Sequence, residues 1–157
     1  ARHGHTIQFN FSNSNDLGLL AVTTGREVGI DIEYRERNIS VDPLARHIFT
    51  ASEAAAFRRL PLARHQQELL AVWTRKEAYI KALGKGFSLP LNSFSVAIAP
   101  ETDTTLRQLD NARGEQQSWK FLTLAAHPDY LASLTAPGTD WTLGCFDWRP
   151  DTASRSV

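Results

Sequence analysis

The sequence is short of several features that would place it in a specialised class of protein. It has no methionine and a single cysteine, Cys145, among 157 residues. One cysteine cannot form an intrachain disulfide and fits a reducing compartment. No apolar run reaches the roughly 18 residues of a membrane-spanning helix, and we expect no signal peptide. We therefore expect a cytoplasmic protein that does not span a membrane.

An excess of charge of one sign is also lacking. The chain has 17 basic and 17 acidic residues, so its formal net charge is zero. Proteins that hold duplex nucleic acid through its phosphates are usually basic, so we expect no nucleic-acid partner. The 42% of hydrophobic residues is ordinary for a globular domain with a core. We expect one domain over residues 1–148, followed by a disordered tail over residues 149–157.

Hydrophobic periodicity predicts an α+β fold in which a small antiparallel sheet packs against a helical segment. Apolar alternation predicts strands at 6–11, 17–22, 28–33, 93–98, 118–124, 130–135 and 141–146. Helical signals lie between them: a helix over 42–48 with Asp42 as its predicted N-cap, a Thr50–Glu53 capping box, and a helix over 63–83 before Gly84. The polar stretch 101–117 predicts a loop or an irregular hairpin. The predicted core includes Val28, Ile30, Ile32, Trp73, Ile80 and Phe94.

Two carboxylates share one face of the predicted strand 28–33. Asp31 and Glu33 are two positions apart, which in a strand places them side by side at about 7 Å. The common interpretation is the solvent-facing side of an amphipathic strand. The functional alternative is a site for Mg²⁺, which prefers carboxylate oxygens and keeps water or phosphate as further ligands. The pattern alone favours the first interpretation.

The long predicted helix carries three further charged residues of interest. Glu77 and Lys81 are four apart, in the favourable order for a surface ion pair, which is their common interpretation. Lys76 is unusual because it falls inside the apolar arc of the helix. The ordinary explanation is a stem that packs on apolar surface while the ammonium reaches water.

Taken together, three segments resemble the 4′-phosphopantetheinyl transferase superfamily. They are Val-Gly-Ile-Asp-Ile-Glu at 28–33, Trp-Thr-Arg-Lys-Glu-Ala-Tyr-Ile-Lys at 73–81 and Gly-Lys-Gly at 84–86. Phe-Asn-Phe-Ser-Asn-Ser at 9–14 precedes them, and 87–91 and 94–96 extend the match. This order resembles the second lobe of the long, two-lobed kind that serves peptide and polyketide synthases. The resemblance covers about Phe9 to Phe146.

The resemblance implies Mg²⁺-dependent transfer of 4′-phosphopantetheine from coenzyme A to a serine of an acyl or peptidyl carrier protein. The other product is 3′,5′-ADP, and the pathways served are fatty acid, polyketide or nonribosomal peptide biosynthesis. The implied metal ligands are Asp31, Glu33 and Glu77. The implied catalytic residues are Glu77, Lys81 and Asp31, with Glu77 a candidate base. The implied coenzyme A contacts are Ser12, Asn13, Lys76 and Lys81.

Two features depart from the long kind of transferase. Asn13 stands where the family usually has His, and an amide can donate a hydrogen bond but carries no charge. The first lobe has no counterpart here, so we expect either a homodimer or a partner in a missing N-terminal lobe. Two alternatives remain open. One is a truncated, non-catalytic relative that binds coenzyme A or a carrier protein, and the other is a different metal-dependent phosphoryl-transfer enzyme.

Overall fold

A computed structural model describes residues 6–37, 39–84, 86–99, 104–110 and 116–148. Among the described residues, three strands are followed by a helical region with three α-helices and three short 3-10 helices and then by three more strands, which confirms the α+β prediction. The elements are β1 (Ile7–Ser14), β2 (Leu17–Thr24), β3 (Gly29–Tyr34), α1 (Val41–Ile48), α2 (Ala51–Phe57), α3 (His65–Ala82), β4 (Thr104–Asp110), β5 (Gln116–Leu124) and β6 (Tyr130–Pro137).

The strands form two antiparallel sheets. Strands β1 and β2 make a two-stranded hairpin, and a four-stranded sheet has the order β3-β6-β5-β4. Strand β3 is therefore an edge strand, and the hairpin lies against it. The polar stretch at 101–117 contains β4, which pairs with β5 with a register shift between Leu106 and Leu109. The irregular-hairpin alternative predicted for this stretch is confirmed.

Helix α3 packs on the four-stranded sheet and builds most of the core. Leu69 and Val72 of this helix are fully buried and share one apolar cluster with Tyr79, Ile80 and residues of α1, α2 and β5. Gly29 marks the closest approach of β3 and α3, because a Cβ there would overlap the Ala78 carbonyl oxygen. The odd-numbered face of β3, which carries the carboxylates, therefore faces α3 rather than water.

Five of the six predicted core residues are buried, and the sixth, Trp73, is partly buried at the edge of the main cluster. The two ends of the helical region are also as predicted. Thr50 and Glu53 form the reciprocal capping box at the start of α2. Gly84 follows the C-cap of α3 with a φ of 63°, a conformation that glycine adopts without steric cost.

Three local predictions are wrong. Helix α1 is capped by Ser40, without a side-chain cap bond, and Asp42 lies in its first turn. Residues 93–98 are not a strand; buried side chains, rather than a neighbouring strand, take up the N–H of Val96 and the carbonyl of Ala97. Residues 141–146 are irregular as well, and most of them are exposed. The predicted tail at 149–157 lies outside the described residues.

Candidate active site

Side chains from β1, β3 and α3 meet where the carboxylate face of β3 touches the helix. The Lys81 ammonium lies 2.6 Å from Asp31 Oδ1 and 2.9 Å from Ser12 Oγ. The Ser12 hydroxyl in turn donates to the same Asp31 oxygen at 2.9 Å. Ser12, Asp31 and Lys81 thus form a closed triangle of charge-assisted hydrogen bonds.

The triangle is shielded from solvent on the side of β3. Asp31 is 5% exposed and Ser12 is also 5% exposed, while the Lys81 side chain is 29% exposed. Burial raises the pKa of Asp31 above its usual value, and the bonds from Lys81 and Ser12 offset part of that rise. Among the described residues Lys81 makes its ion pair with Asp31, so the predicted surface pair with Glu77 is not the arrangement observed.

The two other candidate carboxylates flank the triangle. Glu33 Oε1 pairs with Arg37 at 2.9 Å, and Glu33 Oε2 accepts the Ser14 hydroxyl at 3.3 Å. Glu77 is partly buried on α3. Burial and the neighbouring charge of Asp31 raise its pKa, Glu33 adds a smaller rise, and Lys81 opposes them. The three carboxylates are therefore close enough to repel one another.

These carboxylates do not form a complete metal cage. Within the described residues, no group of three or more His, Cys, Asp or Glu side chains is gathered closely enough to hold a metal ion. One observation nevertheless fits a hard cation. Asp31 Oδ2 is buried and has no hydrogen-bond partner. An orphaned carboxylate oxygen beside two further carboxylates is a donor set that suits Mg²⁺.

The structure separates Lys76 from this site, although its neighbour in sequence, Glu77, belongs to it. Lys76 is 0% exposed, and its ammonium donates to Glu53 Oε2 at 2.6 Å. It also donates to the carbonyls of Ile48, Leu91 and Phe94 at 2.7–2.8 Å. Such an ammonium has no hydrogen left for a phosphate, so we remove Lys76 from the candidate coenzyme A contacts.

Asn13 also stays outside the triangle. It is exposed, and its odd position on β1 places it on the opposite face of that strand from Ser12. The sequence reasoning missed Ser14, which contacts Glu33, and Asn10, which contacts β3. The signal was present, because Asn10, Ser12 and Ser14 are polar residues at every second position of a strand.

The family model of the 4′-phosphopantetheinyl transferase superfamily matches residues 27–135, well over half of the chain. This chain belongs to that superfamily. The matched range contains the three carboxylates and Lys81, and it begins after Ser12 and Asn13.

Individual transferases match over most of this chain but about half of their own length. The 4′-phosphopantetheinyl transferase HetI of Nostoc sp. strain PCC 7120 is 32% identical over 135 residues, which are 86% of this chain and 54% of HetI. The transferase Sfp of Bacillus subtilis strain 168 is 29% identical over 81% of this chain and 58% of its own. The structure of Thermotoga maritima holo-[acyl-carrier-protein] synthase aligns at 23% identity with a TM-score of 0.42, over 71% of this chain and 62% of that one.

Within the residues that the structure describes, no helix is both long and apolar enough to span a membrane.

Proposed function

We propose that this chain carries the catalytic half of a 4′-phosphopantetheinyl transferase. The observation that carries the proposal is the Ser12–Asp31–Lys81 triangle, with an orphaned Asp31 oxygen beside Glu33 and Glu77. Family membership supplies the reaction class, and the cytoplasm is the compartment that we propose for it. The substrates are coenzyme A and a serine of an acyl or peptidyl carrier protein.

In the proposed reaction, the serine oxygen of the carrier protein forms a bond to the phosphorus that bears pantetheine. The bond from that phosphorus to the oxygen of 3′,5′-ADP breaks, and the serine proton passes to a base. Glu77 is the proposed base, directly or through water, because it is a partly exposed carboxylate of α3 close to Asp31. Lys81 supplies a positive charge for the phosphate oxygens, on which negative charge builds up as the leaving group departs.

Asp31, Glu33 and Glu77 are the residues that would hold Mg²⁺. When bound, the ion would neutralise the pyrophosphate charge and orient the substrate. Asp31 Oδ2 is the carboxylate oxygen most readily available to the ion, since it has no hydrogen-bond partner. Glu33 would have to share or release Arg37, whose side chain is 53% exposed and so has room to move.

The decisive test is transfer itself. The purified chain would be incubated with coenzyme A, Mg²⁺ and an apo carrier protein, and the carrier protein would be weighed by intact mass spectrometry. We expect a mass increase of one phosphopantetheine group. If the chain binds coenzyme A without transfer, the non-catalytic alternative is correct. If it turns over a phosphate ester that lacks pantetheine, the chain is instead a different metal-dependent phosphoryl-transfer enzyme.

Variants of two lysines separate the site from its surroundings. Lys81→Met removes the charge nearest the proposed phosphate and should lower the transfer rate about 10²- to 10³-fold. Lys120→Met is the matched control, because Lys120 lies over the Trp141 ring at 4.7 Å, on a strand outside the triangle. Near-normal transfer by Lys81→Met would contradict the role assigned to Lys81.

One surface bears on the proposed contact with a second lobe. The outer face of the β1–β2 hairpin exposes five large apolar side chains, each at least 55% accessible: Ile7, Phe9, Phe11, Leu20 and Val22. Cross-strand register pairs Phe9 with Val22 and Phe11 with Leu20, so the patch is continuous. Continuous exposed apolar patches commonly mark interfaces. We propose that a second lobe covers it, and that a second copy of this chain takes that place when the chain is alone.

Light scattering tests the interface. The wild-type chain should have the mass of a dimer, and Phe9→Ser should shift it toward the monomer of 17.5 kDa. A wild-type chain that is monomeric without any added partner and still primes a carrier protein would show that one lobe suffices.

A further inference from the structure

Strand β1 contacts β3 through side chains where a strand would normally use its backbone. As the edge of the four-stranded sheet, β3 has outward N–H groups without a neighbouring strand. Three side-chain oxygens of β1 accept these groups at 3.0–3.4 Å: Asn10 from Ile30, Ser12 from Ile32, and Ser14 from Tyr34. The polar alternation of β1 therefore follows the two-residue period of β3.

The two serines do more than accept a backbone bond. The Ser12 hydroxyl donates to Asp31 at 2.9 Å, and the Ser14 hydroxyl donates to Glu33 at 3.3 Å. The contact is the same in both cases, repeated one strand period further along. Each serine takes the N–H of one β3 residue and orients the carboxylate of the residue before it.

Counting hydrogen bonds shows how firmly Ser12 is committed. A hydroxyl has one donor and two acceptor lone pairs. The donor goes to Asp31, and the lone pairs receive the N–H of Ile32 and the ammonium of Lys81. Both bonds to Asp31 reach Oδ1, so Oδ2 is the oxygen left unpaired. Ser12 thereby helps to select which carboxylate oxygen is presented, and it has no remaining capacity for a phosphate.

We propose that Ser12 and Ser14 are positioning residues that set the orientation of the Asp31 and Glu33 carboxylates for a divalent cation. The proposal rests on the proposed function, because these carboxylates are the proposed metal ligands. It replaces the phosphate contact that the family resemblance implied for Ser12. Hydrogen-bond partners of metal ligands commonly change metal affinity or activity by 10- to 100-fold when they are removed.

Asn10 is an internal control for this proposal. It accepts a β3 N–H as the serines do, but the residue before Ile30 is Gly29, which has no carboxylate to orient. Asn10→Ala therefore removes the bond between the strands without touching a proposed metal ligand. Ser12→Ala and Ser14→Ala each remove the bond between the strands and also the hydrogen bond to a proposed metal ligand.

The experiment measures Mn²⁺ binding by electron paramagnetic resonance, with and without coenzyme A, together with the urea midpoint of each variant. All three alanine variants should lower the urea midpoint to a similar degree. Only the serine variants should weaken Mn²⁺ binding, by about tenfold or more. Ser14→Thr keeps a hydroxyl at this partly buried position, so its Mn²⁺ affinity should be close to that of the wild type and higher than that of Ser14→Ala.

Two results would overturn the proposal. One is an equal loss of Mn²⁺ affinity in Asn10→Ala, which would mean that the serines only secure β3. The other is a wild-type chain that binds no Mn²⁺, whether or not it primes a carrier protein. Failure of the proposed function would look different: a wild-type chain that binds Mn²⁺, loses it in the serine variants, and transfers nothing.

Discussion

Replacing Lys76 by methionine should strongly destabilise the protein, because Lys76 holds the helical region together and does not contact the substrates directly. Lys76 is fully buried, and its ammonium joins three separate segments through four oxygen atoms. These oxygens belong to the end of α1, the capping box of α2 and the segment around 91–94. Methionine has a similar length and apolar character, so the change removes the charge and its hydrogen bonds while it largely keeps the packing.

The loss of stability in Lys76→Met arises from the buried Glu53 carboxylate, which is left without its cation. Glu53 keeps the backbone N–H groups of Thr50 and Val96, each at 2.7 Å, but its negative charge loses the only buried cation bonded to it among the described residues. Breaking a buried ion pair from one side costs about 3–5 kcal/mol. That is a large share of the 5–15 kcal/mol of stability of a typical domain. At an m-value of about 2 kcal/mol per M of urea, the midpoint should fall by about 2 M.

The assay is urea unfolding followed by the fluorescence of the four tryptophans. Lys120→Met is the control, because loss of its partly exposed contact with Trp141 should cost only about 0.5–1 kcal/mol. The double variant Lys76→Met/Glu53→Gln should be less destabilised than Lys76→Met alone, since it no longer buries an unpaired carboxylate. Equal midpoints for Lys76→Met and Lys120→Met, with coenzyme A binding lost only in the former, would refute this reasoning and restore Lys76 as a ligand.

Three further changes test other parts of the fold. Gly29→Ala should cost about 1–3 kcal/mol or more and also slow transfer, because its Cβ forces β3 away from Ala78 of α3; a calorimetric melting temperature equal to wild type would contradict this packing. Thr50→Ala removes half of the capping box and should cost about 1 kcal/mol in urea unfolding, with transfer unchanged. Arg75→Met should destabilise more than Thr50→Ala, because it leaves Glu68, which is 5% exposed, without its buried cation; the same urea series decides it.

The sequence was most informative where a signal is local. The capping box at Thr50, the helix stop at Gly84 and the alternation of β3 each depend on residues within a few positions of one another. The side-by-side placement of Asp31 and Glu33 follows from that alternation alone. The partners of Asp31 could not be predicted from this alternation, because Ser12 and Lys81 lie 19 and 50 positions away from it in the sequence.

The segment 93–98 shows why a burial pattern is not enough to define a strand. Phe94 and Val96 are buried and Ser95 is exposed, as the predicted alternation requires. The backbone is nevertheless tied to side chains: the Val96 N–H donates to Glu53 at 2.7 Å, and the Ala97 carbonyl accepts from Arg75 at 2.9 Å. Alternation records which side chains face the core, and hydrogen-bond partners decide whether the segment joins a sheet.

The charges buried inside the helical region also help to explain how the site is built. Lys76 and Glu77 are neighbours on α3, yet one anchors the helix to α1 and α2 while the other lies at the carboxylate cluster. On the opposite side Gly29 allows β3 to approach the helix without a side chain between them. A helix fixed by a buried ion pair and packed this closely on the strand has little freedom to change the distance from Lys81 to Asp31. We infer that Lys76 and Gly29 serve the site by holding α3 in place, so their variants should lower stability and transfer together, whereas Lys81→Met should lower transfer far more than stability.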